Sequence, residues 1–237
     1  MEAIKAFGQH FLIAREVAEF MVDAASISKK DVVLEIGPGK GMITKYLARK
    51  SKKLYYIEKD VRLKEALRYI LGDVEAFWGD ALVVSWPEEI NKLVSNLPFN
   101  IASQVIFKIP ETYDLAILGV QKEFGEKMVA KPGDKNYGRL SVSSQLLFNI
   151  KLLNTFPPEV FSPRPEVGLA IIKLIPKKRL SIWPELEIFI RDVFCYPNKT
   201  VNNALKLAGY DVKTKLRKKV RGLSKEEVVK LFKMLHK

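Results

Sequence analysis

The sequence predicts an α/β protein with a mostly parallel sheet, one antiparallel edge strand, helices on both sheet faces and a small helical domain at the C-terminal end. Three observations lead to this prediction. Up to Pro176, short runs rich in β-branched and aromatic residues alternate with helix-length segments, which is typical of a doubly wound sheet. Two late strand candidates have only the loop Phe156–Gly168 between them, which indicates an antiparallel addition at one edge. Beyond Pro176 the pattern is helical alone.

The strand and helix candidates of the first part of the chain follow one another in regular order. Apolar and β-branched runs predict strands at Asp31–Ile36, Leu54–Glu58, Val74–Trp78, Leu93–Asn96, Leu115–Gln121, Leu147–Phe156 and Leu169–Ile175. Apolar residues at helical spacing predict helices at Ala14–Ala25, Met42–Lys50, Val61–Leu71, Ile101–Lys108 and Lys122–Ala130. Such alternation places helices on both faces of a parallel sheet.

The last part of the chain differs in charge as well as in pattern. The chain has 237 residues and a net charge of +13, and residues 177–237 hold 16 Lys or Arg against 6 Asp or Glu. Because Ile175–Arg179 follows a strand and precedes a helix, we place a domain boundary there, between domains 1–176 and 177–237. The predicted helices of the second domain are Pro184–Cys195, Lys199–Leu207 and Lys225–Leu235. Ser224 is the predicted N-cap of the last one, with Glu227 three residues on.

Composition excludes several classes of protein. With 48% hydrophobic and 28% charged residues, the chain is neither disordered nor collagen-like. Its single cysteine, Cys195, excludes an intramolecular disulfide framework and a cysteine-based zinc site. Met1–Gln9 lacks the apolar stretch of a signal peptide, and no apolar run approaches the ~18 residues of a membrane span. We therefore expect a soluble, cytoplasmic protein whose positive charge favours polyanions or anionic membrane surfaces as partners.

A glycine-rich loop between the first predicted strand of the sheet and the next helix is the sharpest local signal. In Glu35-Ile36-Gly37-Pro38-Gly39-Lys40-Gly41 the glycines are spaced G-x-G-x-G, unlike the G-x-G-x-x-G of dinucleotide-binding enzymes. Glycine allows positive φ and a close approach of the backbone to a ligand. The loop resembles the one that class I methyltransferases use for S-adenosylmethionine. A strand-to-helix turn that simply needs glycine is the alternative.

Acidic residues follow the next two predicted strands. Glu58 lies 21 residues beyond Gly37, where a carboxylate in doubly wound sheets accepts hydrogen bonds from ribose hydroxyls. Asp80 is placed to accept a hydrogen bond from the amino group of an adenine. Taken singly, each is also compatible with a solvated or turn residue. Together they favour one site, because ligands in such sheets bind outside the carboxyl ends of the strands.

The fourth predicted strand ends in Asn96-Leu97-Pro98-Phe99-Asn100, a segment suited to an adenine. The 6-amino group of adenine is a poor nucleophile because its lone pair is delocalised into the ring. The Asn96 side-chain oxygen and a backbone carbonyl at Leu97 or Pro98 would hold its two hydrogens and turn the lone pair towards a methyl group. Phe99 would stack on the extracted base. An Asn-Pro turn beside a core phenylalanine is the alternative for this pentapeptide alone.

A series of short motifs in fixed order resembles the ribosomal RNA adenine dimethyltransferases. The motifs are Phe7–Leu12, Glu35–Gly39, Glu58, Gly79–Ala81, Asn96–Asn100, Gln121–Glu123, Tyr137–Ser141 and Phe161–Pro165. The resemblance covers residues 4 to about 175. It implies a Rossmann-like class I methyltransferase fold, S-adenosylmethionine as methyl donor, S-adenosylhomocysteine as product, and no metal.

The resemblance also implies which residues form the site. The implied cofactor residues are Gln9, His10, Leu12, Glu35, Gly37, Gly39, Glu58, Asp80, Ala81 and Asn96. The implied catalytic residues are Asn96, Leu97, Pro98 and Phe99, and Phe161 is expected to contact RNA. His10 stands where relatives often have Asn, which implies hydrogen bonding rather than proton transfer. From the residues alone, Gln9-His10-Phe11 predicts the start of an amphipathic helix.

Two differences from the family pattern and one cluster of basic residues bear on how the chain would bind RNA. Relatives often have Tyr where this chain has Phe99, and Tyr196–Thr200 retains only the Lys-Thr of a basic run usual in the family. A cluster without acidic residues follows, made of Lys213, Lys215, Arg217, Lys218, Lys219 and Arg221. We predict RNA contacts at Arg217, Lys218 and Lys219, with a plain solvated face as the alternative.

The resemblance implies dimethylation of the 6-amino group of two adjacent adenosines in the 3′-terminal hairpin loop of small-subunit ribosomal RNA, in ribosome biogenesis. The expected partner is that RNA or an assembling small subunit. We expect the protein to be a monomer that does not bind membranes. One alternative is methylation of a single large-subunit adenine, as in the erythromycin-resistance methyltransferases. Leu97 favours the small-subunit group, because the resistance enzymes tend to have Ile there. The other alternative is a non-catalytic nucleic-acid-binding factor on the same fold.

Overall fold

The computed structural model describes residues 10–72, 74–211 and 214–235, and the chain divides into two compact units. The first unit comprises Met1–Gly125 and Lys151–Pro176, and the second comprises Glu126–Ile150 and Lys177–Lys237. Within the described ranges, no helix is both long and apolar enough to cross a membrane.

A seven-stranded sheet forms the framework of the first unit. The strands of the chain are β1 Phe11–Leu12, β2 Val32–Ile36, β3 Lys53–Glu58, β4 Glu75–Trp78, β5 Lys92–Asn96, β6 Leu115–Gln121, β7 Phe148–Phe156, β8 Phe161–Ser162 and β9 Leu169–Pro176. The order across the large sheet is β4-β3-β2-β5-β6-β9-β7. Strands β2 to β6 pair in parallel, and β9 is antiparallel to β6. The predicted mostly parallel sheet with an antiparallel addition at one edge is confirmed.

The central strands are apolar because both of their faces are covered. Val33, Leu93 and Ile117, from β2, β5 and β6, are fully buried, as expected of parallel strands between helical layers. Since β2, β3, β4 and β5 run in the same direction, their carboxyl ends meet at one edge of the sheet. This edge carries the candidate site.

Helices connect these strands where apolar periodicity predicts them. They are α1 Arg15–Ala24, α2 Thr44–Lys50, α3 Lys64–Leu71, α4 Ala102–Lys108 and α5 Lys122–Val129. Helix α1 buries Val17, Ala18, Met21 and Val22, which lie on one helical face. The helix predicted from Val61 begins with a 3-10 turn, Val61–Leu63, before α3 starts.

The helix start predicted from Gln9-His10-Phe11 is wrong for the residues that the structure describes. Phe11 and Leu12 form strand β1, which pairs antiparallel with β8 through Phe11 with Ser162 and Leu12 with Phe161. The Ile13 amide extends this contact by donating to the Val160 carbonyl at 2.9 Å. Pairing with a segment some 150 residues away outweighs the local helical pattern, which short-range periodicity cannot anticipate.

The second unit is helical. Its helices are α6 Arg139–Leu147, α7 Trp183–Phe194, α8 Val201–Leu207 and α9 Lys225–Leu235. Helix α7 buries Leu186, Phe189, Ile190 and Val193. The predicted cap of α9 is confirmed, because the Ser224 amide donates to Glu227 at 2.8 Å and the Glu227 amide donates to the Ser224 hydroxyl at 3.3 Å.

The extent of the second unit differs from the predicted domain. The sequence predicts residues 126–150 in the first domain, whereas in the structure they belong to the second unit because α6 packs against α7 and α9. The helix α6 itself had no prediction, since its buried face includes polar Ser141 and Ser144. Their hydroxyls donate to the carbonyls of Lys127 and Leu140 at 2.6 and 2.7 Å. These hydrogen bonds lower the free-energy cost of burying the two hydroxyls.

Candidate functional site

A cavity of about 260 Å³ opens at the carboxyl ends of β2, β3, β4 and β5. Its lining includes every predicted catalytic residue and every predicted cofactor residue that the structure describes: His10, Leu12, Glu35, Gly37, Gly39, Glu58, Asp80, Ala81, Asn96, Leu97, Pro98 and Phe99. Gln9 lies outside the described residues. Motifs separated by up to 89 positions in the chain therefore converge on one ligand-sized space.

The glycine loop forms one wall of the cavity. Gly37 has φ of 67° and Gly39 has φ of 57°, conformations that side chains disfavour. A Cβ on Gly37 would lie 3.2 Å from Pro98 Cγ, and a Cβ on Gly39 would lie 3.1 Å from Phe11 Cδ1. The loop thus needs glycine both for its backbone and for close packing against the Asn96–Asn100 segment and β1.

Glu58 ties the end of β3 to the glycine loop. Its buried carboxylate accepts from the Gly39 amide at 3.2 Å and from the Asp60 amide at 2.8 Å. Burial raises the pKa of Glu58, and the two amide hydrogen bonds oppose that rise. A carboxylate in this position has further lone pairs with which it can accept hydrogen bonds from a ligand.

Glu35 is the most deeply buried acid of the cavity. Its Oε2 and the nearby Thr44 hydroxyl are both buried without a hydrogen-bond partner among the described residues. Burial raises the pKa of Glu35 to about 8; the nearby Thr44 hydroxyl opposes this rise, and the negative charge of Glu58 adds to it. Glu35 is therefore mostly protonated at neutral pH in this structure.

The protonation of Glu35 gives the protein a testable pH dependence. The pKa of this carboxyl rises on folding from 4.5 to about 8. The free energy of unfolding of the protein therefore falls as the pH rises between these values, by ~1.4 kcal/mol per pH unit. We expect Glu35→Gln to match wild type in free energy of unfolding near pH 5. Near pH 7 it should exceed wild type by ~2–3 kcal/mol. Urea unfolding at both pH values measures this, and a constant difference would contradict the assignment.

Asp80, at the end of β4, is held in a charged state. Its Oδ1 accepts from the Leu82 amide at 2.9 Å, and its Oδ2 pairs with Lys59 Nζ at 3.0 Å. These two contacts lower the pKa of Asp80. Lys59 and Asp60, which sequence reasoning did not single out, line the cavity beside it. Their position directly after Glu58, at the end of a predicted strand, is the sequence feature that indicates a place in the site.

Asn96 carries a buried oxygen with no partner. Its Oδ1 accepts no hydrogen bond within the described residues, although it is inaccessible to solvent. The side chain rests on Gly119 of the neighbouring strand, where a Cβ would lie only 2.6 Å from Oδ1. The Leu97 amide donates to the Gly119 carbonyl at 3.0 Å, which fixes the start of the loop. Asn96 lines the cavity, and an acceptor that no described residue engages is available to a ligand hydrogen once the side chain turns towards the cavity.

Three aromatic rings are in contact at Phe99, and two of them, His10 and Phe99, line the cavity. His10 stacks on Phe99 with ring centroids 6.1 Å apart, and Phe161 meets Phe99 edge-on at 6.0 Å. His10 Nδ1 lies 2.8 Å from the Pro163 carbonyl, so Nδ1 carries a hydrogen and donates it. Phe161, predicted to contact RNA, is only 3% exposed and supports Phe99 instead, because β8 directs its ring into the core.

The predicted RNA residues of the second unit differ in their surroundings. Arg217 and Lys219 are exposed, whereas Lys218 pairs with Glu227 at 2.6 Å. Lys215 is exposed as well, so alternate residues from 215 to 219 present positive charge to solvent. Lys213 lies outside the described residues.

The donor chemistry of the cavity suits an organic ligand. Among the described residues, no group of three or more His, Cys, Asp or Glu side chains is arranged to hold a metal ion. The cavity instead offers carboxylates at Glu58 and Asp80, a buried amide oxygen at Asn96, and an aromatic face at Phe99. Such a set matches ligands with several hydroxyl or amino hydrogens and a planar ring.

The chain is similar in sequence to one known protein family and to individual proteins from several organisms. The chain matches the family model for ribosomal RNA adenine dimethylase over residues 2–237. A probable ribosomal RNA small subunit methyltransferase A of Methanopyrus kandleri is 42% identical over 212 residues, which are 86% of this chain and 76% of that protein. A protein of the same description from Thermococcus kodakarensis is 43% identical over 206 residues, 86% of this chain and 74% of that protein.

Solved structures with similar folds agree with the sequence matches. The crystal structure of a dimethyladenosine transferase from Plasmodium falciparum has a TM-score of 0.83 and 27% identity, covering 96% of this chain and 98% of that one. The crystal structure of the 23S rRNA methyltransferase ErmE has a TM-score of 0.70 and 25% identity, covering 96% and 100%. The chain therefore belongs to the ribosomal RNA adenine dimethylase family.

Proposed function

We propose that this protein transfers methyl groups from S-adenosylmethionine to the 6-amino group of adenines in small-subunit ribosomal RNA. Two adjacent adenosines of the 3′-terminal hairpin loop are the proposed targets, each modified twice. The observation that carries the proposal is the buried Asn96 Oδ1, which has no hydrogen-bond partner among the described residues, in a cavity that also holds the half-buried Phe99, the glycine loop and the acids Glu58 and Asp80. Relatives described as small subunit methyltransferases support this choice over large-subunit RNA.

The cavity residues fit the methyl donor. Glu58, at the end of β3, would accept hydrogen bonds from ribose hydroxyls, and Asp80 would accept one from the adenine amino group. A Cβ at Gly37 or Gly39 would press on Pro98 or Phe11, and with glycine at both positions the loop backbone would be able to approach the ligand closely. Glu35, which also lines the cavity, has a buried Oε2 without a hydrogen-bond partner among the described residues.

The chain's own residues act mainly by positioning. Asn96 Oδ1 would hold one hydrogen of the target amine. The other hydrogen would go to the Leu97 carbonyl or to the second lone pair of the Pro98 carbonyl, which already accepts from the Ile101 amide at 3.1 Å. Held in this way, the amine directs its lone pair into the cavity. When bound, S-adenosylmethionine supplies a methyl group on a good leaving group, so a strong base is not required.

The aromatic residues would hold the target base. Phe99 would stack on the adenine, a contact that contributes ~1–3 kcal/mol per base in single-strand binders. Phe161 fixes the Phe99 ring from its edge, and His10 packs against it and is anchored by Pro163. The base must leave its stack to reach this place, which is less costly in a hairpin loop than in a duplex.

The product tests the proposal directly. After the first transfer the amine retains one hydrogen, so a second cycle is expected, and exhaustive reaction should give dimethyladenosine. Small-subunit RNA lacking the modification, large-subunit RNA and an Asn96→Ala control should be treated in parallel and digested to nucleosides for mass spectrometry. A digest that contains monomethyladenosine but no dimethyladenosine would contradict the proposed dimethylation. Modification of large-subunit RNA, with small-subunit RNA unmodified, would contradict the proposed substrate.

We propose that the second unit contacts the RNA backbone through the basic stripe, defined as Lys215, Arg217 and Lys219. Their exposure at alternate positions suits a row of phosphates, whereas Lys218 is engaged by Glu227. Such a protein would act where small ribosomal subunits assemble, and we place it in the cytoplasm as a monomer. Free RNA and an assembling subunit are both compatible substrates.

The basic stripe gives a salt-dependence prediction. Each phosphate contact contributes ~0.7–0.9 to the slope of log affinity against log salt concentration. Replacing the three residues of the stripe by Ala should flatten that slope by about 2 and weaken cognate and unrelated RNA alike. The matched control removes the same charge elsewhere on the second unit, at the exposed residues Lys206, Lys230 and Lys233. Equal slopes in both triple variants would show that the stripe is only a solvated face.

A further inference from the structure

The turn that follows Asp80 is held by a lysine from another element. Lys108, the last residue of α4, donates from Nζ to the carbonyls of Ala81, Leu82 and Val84 at 2.9, 3.1 and 2.8 Å. An ammonium has three hydrogens, and here each has a main-chain acceptor. The Trp86 indole also donates to the Ala81 carbonyl at 3.0 Å, and Lys108 Nζ lies 5.1 Å from the Trp86 ring centroid.

This turn carries two residues of the cavity. Asp80 and Ala81 both line it, and Lys108 does not. The Asp80 carbonyl accepts from the amides of Val83 and Val84, both at 2.9 Å. The Asp80 carboxylate accepts from the Leu82 amide inside the same turn. The main chain of the turn and the direction of the Asp80 side chain are therefore set together.

Removing the Lys108 ammonium from water costs free energy. Lysine side chains usually keep the ammonium in water, with only the aliphatic stem on the protein. Here the ammonium is drawn onto the protein, and burial lowers the pKa of Lys108 while the Asp80 charge opposes that shift. Without the cation, three carbonyl dipoles would converge on an empty point, and the turn would relax away from it.

We propose that Lys108 is a positioning residue for recognition of the cofactor's adenine: by fixing the turn after β4 it places the Asp80 carboxylate against the 6-amino group. The inference rests on the proposed function, because it takes Asp80 as the acceptor of that amino group. A purely structural role, in which Lys108 only fastens α4 to the turn, is the competing explanation.

The test compares two ligands that differ in the 6-amino group alone. Calorimetry would measure binding of S-adenosylhomocysteine and of its analogue with hydrogen in place of the amino group. Wild type should prefer the amino ligand, and Asp80→Ala should lose that preference. Lys108→Met keeps the length of the stem and should bind the amino ligand about 10-fold more weakly, with the analogue much less affected. Lys108→Arg, which retains charge and donors, should recover part of the preference.

A matched control separates positioning from stability. Lys92 also binds backbone carbonyls, those of Ala25 and Ser26 at 3.2 and 3.1 Å, and it pairs with Asp31 at 3.0 Å. It begins β5, at the end opposite Asn96. Lys92→Met should lower the thermal midpoint while leaving the ratio of the two ligand affinities at the wild-type value.

The outcomes distinguish the inference from the proposed function. An unchanged affinity ratio in Lys108→Met, with wild type discriminating, would overturn the inference alone. Failure of wild type to bind S-adenosylhomocysteine would overturn the proposed function. If Lys108→Met does not fold, Trp86→Phe removes the indole donor to Ala81 and should shift the ratio in the same direction by a smaller factor. An unchanged ratio in Trp86→Phe would then count against the inference.

Discussion

Replacing Asn96 with alanine is expected to lower the single-turnover rate of methyl transfer at least about 100-fold, because the variant no longer orients the target amine. RNA affinity should stay close to wild type, since stacking on Phe99 and backbone contacts remain. Some loss of cofactor affinity is expected, because Asn96 lies where both ligands would meet. Rapid-quench measurement with saturating RNA and methyl donor separates the rate from binding.

Two further variants sharpen this result. Gly119→Ala introduces a Cβ 2.6 Å from Asn96 Oδ1, so the amide must move, and the rate should fall although Asn96 is still present. Asn91→Ala is the matched control: Asn91 lies before the other end of β5 and bonds Asp31, Asp114 and the Val32 amide. It should destabilise the fold without slowing transfer. An Asn96→Ala variant that keeps most of its single-turnover rate would refute the proposed role.

The second large effect is expected at Glu58. Its carboxylate bonds the Gly39 and Asp60 amides and is the proposed acceptor for the ribose hydroxyls. Hydrogen bonds to a charged group contribute ~1.5–3 kcal/mol each, so Glu58→Ala should weaken S-adenosylhomocysteine binding by roughly 10- to 100-fold or more. Calorimetry checks this value.

The control for Glu58 is an acid on the neighbouring strand. Glu75, in β4, is exposed and pairs with Lys53 at 3.3 Å, away from the cavity lining. Glu75→Ala should bind the ligand as wild type does. If Glu58→Ala binds S-adenosylhomocysteine within a factor of about three of the wild-type affinity, the carboxylate is not a ligand contact. Such a factor corresponds to less free energy than one hydrogen bond to a charged group contributes.

Strand and helix positions in the first unit were largely predictable from sequence. Buried parallel strands need continuous apolar runs, and such runs are visible from Val32 to Leu34 and from Leu115 to Val120. The cavity residues were predictable for a related reason. Ligand-type side chains at Glu58, Asp80 and Asn96 each follow a strand, and the ends of parallel strands meet at one edge.

Pairings between distant segments were not predictable. Strand β1 is two residues long and carries no local signal, because its hydrogen bonds come from β8. Helix α6 was missed because its buried serines interrupt the apolar pattern, and only their carbonyl partners make burial acceptable. The burial of Phe161 and the ion pair of Lys218 with Glu227 depend on neighbours that sequence spacing does not reveal.

The sequence by itself therefore determined the parallel sheet, its antiparallel edge, the location of the site and the family, because periodicity and short motifs are local properties. The tertiary structure decided which polar atoms in that site have partners and which do not. Among the described residues it gives Asn96 Oδ1 and Glu35 Oε2 no hydrogen-bond partner, it bonds Glu58 to the glycine loop, and it bonds Lys108 to the turn that follows Asp80. Hydrogen bonding and desolvation depend on distances of a few ångströms between segments far apart in the chain, and only the folded arrangement sets those distances.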